Sequence, residues 1–260
     1  MNKTTRITAA VLSLNLLYLP LSFAKTTYPS GWFLGAEAGV VFPHLKSSTT
    51  VPNGSEVGSP YNMDLYTIKN PNTTQNFALD FGYRFTRKKH AFIPFYTLAL
   101  RYQHVNSFKI KGMVEQYSDP EFLNYDYSLN ASSNIFSFFG KADLCQYKSI
   151  SPYISASVGL VENQISNYSE QAVSGVSLPR IDPAYAGTSS HNFMYSAGVG
   201  FDYRINRQCT ASLGYEFANL GKLKTGKGKN DNWQSESLSL GTLKTNAILL
   251  SVSYQLSKTH

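Results

Sequence analysis

The sequence predicts an all-β protein: an eight-stranded antiparallel up-and-down transmembrane β-barrel with four long external loops and short periplasmic turns. Residues 77–85, FALDFGYRF, carry aromatic or aliphatic side chains at every odd position and small or charged ones at every even position. This alternation recurs in eight segments, and their connections alternate between long and short. Such strands suit lipid outside and a polar interior, because backbone polar groups in hydrocarbon are satisfied only in helices or closed barrels.

Composition agrees with a barrel. Of the 260 residues, 15% are charged and 14% aromatic, while the mean hydropathy is only −0.23, so the apolar residues are dispersed along the chain. No stretch after residue 24 approaches the roughly 20 apolar residues of a membrane-spanning helix. The net charge of +7 includes small basic clusters at 87–89 and 222–229. Neither cluster is interleaved with aromatic residues, so nucleic acid is not expected as a partner.

The N-terminus predicts export. Two basic residues precede an apolar run at 7–23, which ends in the small-residue pattern of a cleavage site. We therefore predict a cleaved signal peptide at residues 1–24 and a barrel at 25–260. An uncleaved anchor helix is the alternative, but the run is short for a span and Pro20 interrupts it.

The first four predicted strands follow from the alternation of residue types. Strand one, 32–42, alternates Trp, Leu and Val with Gly and Glu. Strand two is the 77–85 segment. Strand three, 92–104, alternates Leu and Tyr with Thr, Arg and Gln. Strand four, 133–144, has the weakest pattern, and its alternate Phe residues indicate the lipid face.

The remaining four strands complete an even count. Strand five, 153–162, alternates Ile, Val and Leu with Ser and Gly, and strand six, 193–205, alternates aromatic residues with Ser, Gly, Asp and Arg. Strands seven and eight span 210–217 and 245–256. Lengths near ten residues suit a tilted crossing of the bilayer.

The inward positions are mostly small, as an eight-stranded interior requires, so a wide pore is not expected. A soluble barrel is the alternative, but it would enclose more aromatic residues than eight strands can hold. The long external connections are predicted at 43–74, 106–131, 165–190 and 220–242. The segments 46–62 and 222–236 are polar and are expected to be mobile and water-facing. Five tyrosines are candidate anchors for a partner: Tyr117, Tyr125, Tyr127, Tyr168 and Tyr185.

Charged side chains at inward positions form the main candidate site. Acids and bases nearly balance, so we expect a salt-bridged network that plugs the barrel, and a narrow ion pathway is the alternative. The predicted set is Glu37, Asp80, Arg84, Arg101, Lys141, Asp143, Asp202, Arg204 and Glu216.

Other reactive residues give weaker signals. Cys145 and Cys209 lie at predicted periplasmic turns and could form a disulfide, with free thiols as the alternative. The five histidines show no metal-ligand spacing, so neither a metal nor a cofactor is expected. His104 and Ser107 near the outer rim could serve a lipid-modifying enzyme, but residues three apart on a strand face opposite sides. We expect no catalysis.

Three segments carry a family resemblance: GWFLGAEAGVVFP at 31–43, SAGVGFDYRINRQCTASLGYEF at 196–217 and ILLSVSYQL at 248–256. With them the chain resembles the small outer-membrane β-barrel family that includes the transmembrane domain of outer membrane protein A and the opacity-type surface antigens. The last segment resembles the assembly signal of such barrels, although Leu256 stands where the family usually has a terminal aromatic residue. The candidate signal residues are Ile248, Leu250, Val252, Tyr254 and Leu256.

The resemblance implies a non-catalytic, integral outer-membrane surface protein of a Gram-negative bacterium, with loops available for adhesion or for host or envelope interactions. The implied partners are outer-membrane lipid, lipopolysaccharide and, during biogenesis, the barrel assembly machinery. A narrow porin-like channel for small solutes or ions is the alternative, and a lipid-modifying enzyme is a third hypothesis.

Overall fold

The computed structural model describes residues 30–87, 93–175, 180–230 and 233–256. The predicted signal peptide, His90, His260 and the start of predicted strand three lie outside these residues. Among the described residues, no helix has the length and apolar character needed to cross a bilayer. The strands are β1 (Gly31–His44), β2 (Ser48–Pro52), β3 (Met63–Lys69), β4 (Thr74–Thr86), β5 (Phe95–Glu115), β6 (Leu123–Asp143), β7 (Ile150–Ala172), β8 (Thr188–Arg204), β9 (Cys209–Lys224) and β10 (Ser239–Gln255).

Eight of these strands close one antiparallel ring. Its order is β5, β4, β1, β10, β9, β8, β7 and β6, and β6 pairs back to β5. The first and last strands meet in a continuous ladder from Phe33 opposite Gln255 to His44 opposite Lys244. The predicted fold class is therefore confirmed. We call the end of the barrel where β4, β6 and β8 end and β5, β7 and β9 begin the turn end.

The predicted alternation is also confirmed in the part of every barrel strand that lies nearer the turn end. On β4, Leu79 and Phe81 are exposed on the outer wall while Asp80 is buried inside. Predicted strand four has the assigned register too, because Phe136 and Phe138 face outward and Phe139 is buried.

The strands run much further than the sequence predicts. β5 and β6 have 21 residues each and β7 has 23, so the expected loop at 106–131 shrinks to 116–122. The first long connection contains β2 and β3, which pair with each other, and β3 also pairs with the far end of β5. Segments 46–62 and 222–236 face water only in part: residues 56–61 are exposed as expected, but Val51, Leu223 and Trp233 are buried in a packed core. The expected mobility stays a prediction.

A bulge on β5 explains how the same strand serves two environments. Its pairing with β6 shifts register between Val105 and Phe108. Because side chains alternate with period two, the added residue inverts the parity of everything beyond it. Phe108 and Ile110 are consequently buried inside, and Lys109 and Lys111 face outward.

Three further strands change register at a corresponding place. β7 does so at Asn167, β9 at Gly221 and β10 at Gly241, and all three residues have positive φ, between 56° and 81°. At Gly221 a Cβ would also collide with the side chain of Asn192. We call the part of the chain beyond these bulges the cap. Its described residues are 45–73, 106–132, 166–175, 180–187, 220–230 and 233–243.

The cap has its own hydrophobic core. Its almost completely buried side chains include Val51, Tyr66, Ile110, Val114, Leu129, Leu220, Leu223, Leu238, Leu240 and Leu243. The core continues downward into the ring through Val41, Ile135, Val161 and Leu249. The interior is therefore polar toward the turn end and apolar toward the cap, rather than polar throughout as the sequence predicts.

Candidate functional site

Arg101 lies at the centre of the polar part of the interior. Its Nε and Nη2 donate to Asp80 Oδ1 and Oδ2 at 2.7 and 2.9 Å, a bidentate pair. Nη2 also donates to Glu37 Oε2 at 3.3 Å, and Nη1 lies 3.7 Å from Glu216 Oε2. The guanidinium carbon lies 3.9 Å from the ring centroid of Phe139. One arginine on β5 thus connects carboxylates from β4, β1 and β9.

The other inward bases contact separate partners. Lys141 Nζ donates to both carboxylate oxygens of Asp202, at 2.7 and 2.9 Å. Arg84 donates through Nη1 to Thr210 Oγ1 at 3.2 Å and through Nη2 to Ser253 Oγ at 3.3 Å. These contacts cross the interior from one wall to another, because they join β6 to β8 and β4 to β9 and β10.

Two members of the predicted set remain. Arg204 lies over the ring of Phe95, with its guanidinium carbon 5.1 Å from the centroid. Asp143 is buried and follows Lys141 by two residues in the sequence. The structure places all nine predicted residues inside the barrel, but in separate groups rather than one continuous network. Desolvation makes such groups costly unless they are paired, and Arg101, Lys141 and Arg84 each bond to side chains on other strands.

Little space remains between these groups. A cavity of about 30 Å³ is bounded by Glu37, Asp80, Arg84, Arg101 and Lys141. One buried water needs about 10–15 Å³, so the cavity has room for about two waters. Among the described residues, Glu37 Oε1 has no hydrogen-bond partner, and a water in the cavity is the natural donor to it.

A second charged junction, which the sequence does not predict, joins the parts of the cap. Arg180 Nη1 donates to Asp64 Oδ2 and its Nε donates to Glu170 Oε1, both at 2.8 Å. Its guanidinium carbon also lies 4.6 Å from the ring centroid of Tyr125 and 5.3 Å from that of Trp233. These partners come from all four long connections or the strand ends beside them. Arg180 therefore ties the whole cap into one unit.

Tyrosines pack around this junction. The ring of Tyr66 meets the rings of Tyr127 and Tyr185 edge-on. The ring of Tyr168 also meets that of Tyr185 edge-on, with 5.0 Å between the ring centroids. Tyr168 also donates to Glu170 Oε2 at 2.8 Å. Burial raises the pKa of the Glu170 carboxyl above its ordinary value, although Arg180 opposes the shift. Burial likewise raises the pKa of Tyr66 and Tyr168 well above the ordinary value.

These positions correct the expectation for the five candidate anchor tyrosines. Tyr125 and Tyr127 are buried, Tyr168 and Tyr185 pack at the junction, and only Tyr117 is exposed. The sequence did carry a signal for part of the junction. Asp64 shares parity with Tyr66 and Ile68, so the alternation in 63–69 places its carboxylate on the buried face.

The outer wall shows where the barrel meets lipid. Near the turn end the ring of Trp32 stacks on Phe81 at 5.1 Å and meets Tyr83 edge-on at 5.5 Å. Phe85 stacks on Tyr96 at 4.6 Å and continues this aromatic row onto the next strand. Amphipathic aromatic rings are typical of the membrane–water boundary.

A second row marks the opposite boundary, just below the bulges. Tyr102 donates to Asn134 at 3.2 Å, Asn219 donates to Tyr195 at 3.1 Å, and Tyr215 donates to Asn246. Between the two rows the outer wall is a continuous apolar belt that includes Leu79, Leu98, Leu100, Phe136, Phe138, Val158, Leu160, Val199, Phe201, Leu213, Ile248 and Leu250, all exposed. The chain is a transmembrane β-barrel.

Solved structures similar to this barrel come from outer membranes. Neisserial surface protein A is 10% identical, with a TM-score of 0.44 over 88% of this chain and 99% of that one. OprG from Pseudomonas aeruginosa is 12% identical, with a TM-score of 0.44 over 89% of this chain and 98% of that one. The Escherichia coli outer membrane protease OmpT is 11% identical, with a TM-score of 0.43 over 90% of this chain and 100% of that one. No protein-family model and no curated protein matches the chain. Likenesses this distant carry no argument about activity.

The structure also places the two cysteines and the His104–Ser107 pair. Cys145 is exposed, Cys209 is half-buried, and both are free thiols, so the candidate disulfide is not formed. His104 Nδ1 lies 2.7 Å from Asn134 Oδ1, while Ser107 belongs to the β5 bulge. Within the described residues, no group of three or more His, Cys, Asp or Glu side chains could hold a metal.

Proposed function

We propose that this barrel is a closed, non-conducting, non-catalytic surface protein of a Gram-negative outer membrane, which acts through the cap. The observation that supports this is the filled interior. Arg101 and its carboxylates occupy the polar half, and the apolar core of the cap occupies the other half. A small barrel with side chains packed along its axis has no continuous aqueous path.

The proposal is tested by electrical recording on the full chain in planar bilayers. We expect no stable unitary conductance from the wild type. Stable steps that disappear in Arg101→Ala or Glu216→Gln, but persist in the exposed-residue control Arg207→Ala, would show that the charges line a pathway and would overturn the closed barrel. That result would favour the narrow porin-like channel.

The absence of catalysis is part of the same proposal. His104 Nδ1 lies against the Asn134 side-chain amide rather than a hydroxyl nucleophile. Deletion of the gene should leave the mass spectrum of lipid A unchanged. New or lost acyl chains that return on complementation with the wild type, and not with His104→Ala, would identify a lipid-modifying enzyme instead.

We also propose that lipopolysaccharide contacts the wall of the cap above the outer row of tyrosines. Lys69 and Lys111 lie directly opposite each other on β3 and β5, and Lys109 is two residues away on the same exposed face. Like charges in direct cross-strand register repel, so a phosphate that bridges them would relieve the repulsion. Lys109→Gln/Lys111→Gln should lower the thermal stabilisation gained from phosphorylated lipopolysaccharide in nanodiscs. Dephosphorylated lipopolysaccharide should stabilise wild type and variant equally.

Recognition by the barrel assembly machinery is proposed to use the last strand. The five signal residues of β10 and its end all lie on the outer wall, where each side chain is exposed on the barrel surface. Tyr254→Ser/Leu256→Ser should reduce the amount of folded barrel in the outer membrane, whereas inward Ser251→Ala should not. Equal amounts in the two variants would argue against a signal at these positions.

A further inference from the structure

The far tip of the cap exposes a group of apolar and aromatic side chains. It is formed by the β2–β3 turn, 53–62, and the β5–β6 connection, 116–122, which together we call the tip. Its exposed apolar side chains are Val57 at 59%, Tyr61 at 49%, Tyr117 at 39% and Phe122 at 43%. The rings of Tyr117 and Phe122 meet edge-on at 5.7 Å. Exposed aromatic clusters on soluble surfaces commonly mark protein contacts.

The two turns are joined to each other. Ser118 Oγ donates to the Met63 carbonyl at 3.0 Å, at the end of the first turn. Tyr117 and Ser118 both have positive φ, 59° and 53°, a conformation that costs a residue other than glycine about 1–2 kcal/mol. A conformation so held presents Tyr117 outward in one orientation.

The Asp64 carboxylate maintains this arrangement. Its Oδ1 accepts from Asn53 Nδ2 at 3.0 Å and from the Tyr117 backbone N–H at 3.1 Å, while its Oδ2 accepts from Arg180. The buried junction of the cap therefore holds the strained backbone of the tip directly. A preorganised contact surface loses less conformational entropy on binding than a mobile loop.

The two chain segments that carry the tip are acidic, and Arg180, bonded to Asp64, is the base joined to them in the described ion pairs. Segments 47–68 and 112–132 contain six acidic residues and no Lys, Arg or His, although the whole chain is basic at +7. Apart from Asp64, these acids take part in none of the ion pairs among the described residues. The tip thus projects a negative field above the lysines of the cap wall.

We propose that the tip binds a cationic protein surface, one that offers an apolar side chain to Tyr117 and Phe122 and basic residues to Glu56 and Glu121. The negative field repels nucleic acid and anionic lipid, which leaves a basic protein as the complementary partner. The proposal rests on the proposed role of the cap as the working surface, and it names the site and the chemistry of the partner.

The test uses the full chain in nanodiscs as bait for a random dodecamer peptide library displayed on phage, with the Tyr117→Ser/Phe122→Ser variant for counter-selection. We expect enrichment of peptides that carry net positive charge and at least one large apolar residue. No enrichment over the starting library, or enrichment of neutral or acidic peptides, would overturn the proposal.

Affinity measurements with one enriched synthetic peptide then locate the contact. Phe122→Ser should weaken binding by about tenfold or more, as expected for a central aromatic contact, and Glu56→Gln/Glu121→Gln should reduce the salt dependence. The matched control is Tyr147→Ser at the turn end, where the tyrosine is 70% exposed. Equal loss in the control, or unchanged binding in both tip variants, would overturn the site.

The two proposals fail in different experiments. Conductance in bilayers would remove the closed barrel and leave tip binding intact. If the bilayers show no conductance and the peptide selection fails, only the proposal of a cationic partner is rejected.

Discussion

Replacing Arg180 with Met should open the cap without unfolding the ring. The substitution keeps most of the side-chain volume but leaves Asp64 and Glu170 buried without a counter-charge, and each of these side chains is only 1% exposed. Loss of one partner from a buried pair costs about 3–5 kcal/mol. Each carboxylate retains other donors, from Asn53 and the Tyr117 N–H in one case and from Tyr168 in the other.

We therefore expect the lower end of that range, about 3 kcal/mol, which corresponds to a roughly hundredfold increase in local opening. The assay is hydrogen exchange of backbone amides in nanodiscs, compared between β3 in the cap and residues 95–104 in the membrane part of β5. Exchange should accelerate in β3 alone. Arg207→Met, at an exposed position of the turn end, is the matched control.

A second variant separates charge from packing. Glu170→Gln in the Arg180→Met background removes one uncompensated charge and should restore part of the protection of β3. Unchanged exchange in Arg180→Met, or equal acceleration in β3 and residues 95–104, would refute the idea that Arg180 holds the cap as a separate cooperative unit.

Three further outcomes follow from the cap and the turns. Because burial raises the pKa of Tyr168, the folded cap keeps a proton that the unfolded chain releases near pH 10, so the stability of the cap should fall as the pH rises above 10. The fluorescence of buried Trp233, measured in a Trp32→Phe background, should then shift to the red. No shift by pH 12 would contradict this. In Gly112→Ala the new Cβ would overlap the Thr67 carbonyl oxygen, which should cost about 1–3 kcal/mol and expose the β2–β3 turn to protease, whereas Gly140→Ala, with its nearest atom 3.8 Å away, should behave as wild type. Exposed Cys145 should react with a membrane-impermeant maleimide only after the outer membrane is permeabilised, and labelling of intact cells would reverse the proposed orientation.

The sequence predicts the membrane part of the fold closely, because lipid imposes a simple rule on it. Strands between the two aromatic rows alternate without interruption, so the faces of residues such as Phe81 and Asp80 follow directly from parity. All nine predicted interior charges lie inside for the same reason. Their pairing could not be predicted, since it depends on the tilt and stagger that bring Lys141 opposite Asp202 across the interior.

The cap escaped prediction for a definite physical cause. Each bulge adds a residue and inverts parity, so a period-two pattern appears to end where the strand in fact continues, as on β5 beyond Val105. Beyond the bulges, water rather than lipid lies outside, and the apolar residues accordingly face inward. Polar composition then resembles a loop, and the isolated Arg180 gives no sign that it meets Asp64, which is 116 residues away in sequence.

The bulges also determine the mechanics of the molecule. Because β5 and β6 pass from membrane to tip as continuous paired strands, no flexible linker separates the two regions. The 12 residues from His104 to Glu115 rise about 25–30 Å at 3.3 Å per residue and a typical tilt. A force applied at the tip would load this ladder lengthwise, with its hydrogen bonds sheared together rather than peeled one by one. The paired strands thus hold the proposed binding surface of the tip at a fixed distance and direction from the membrane.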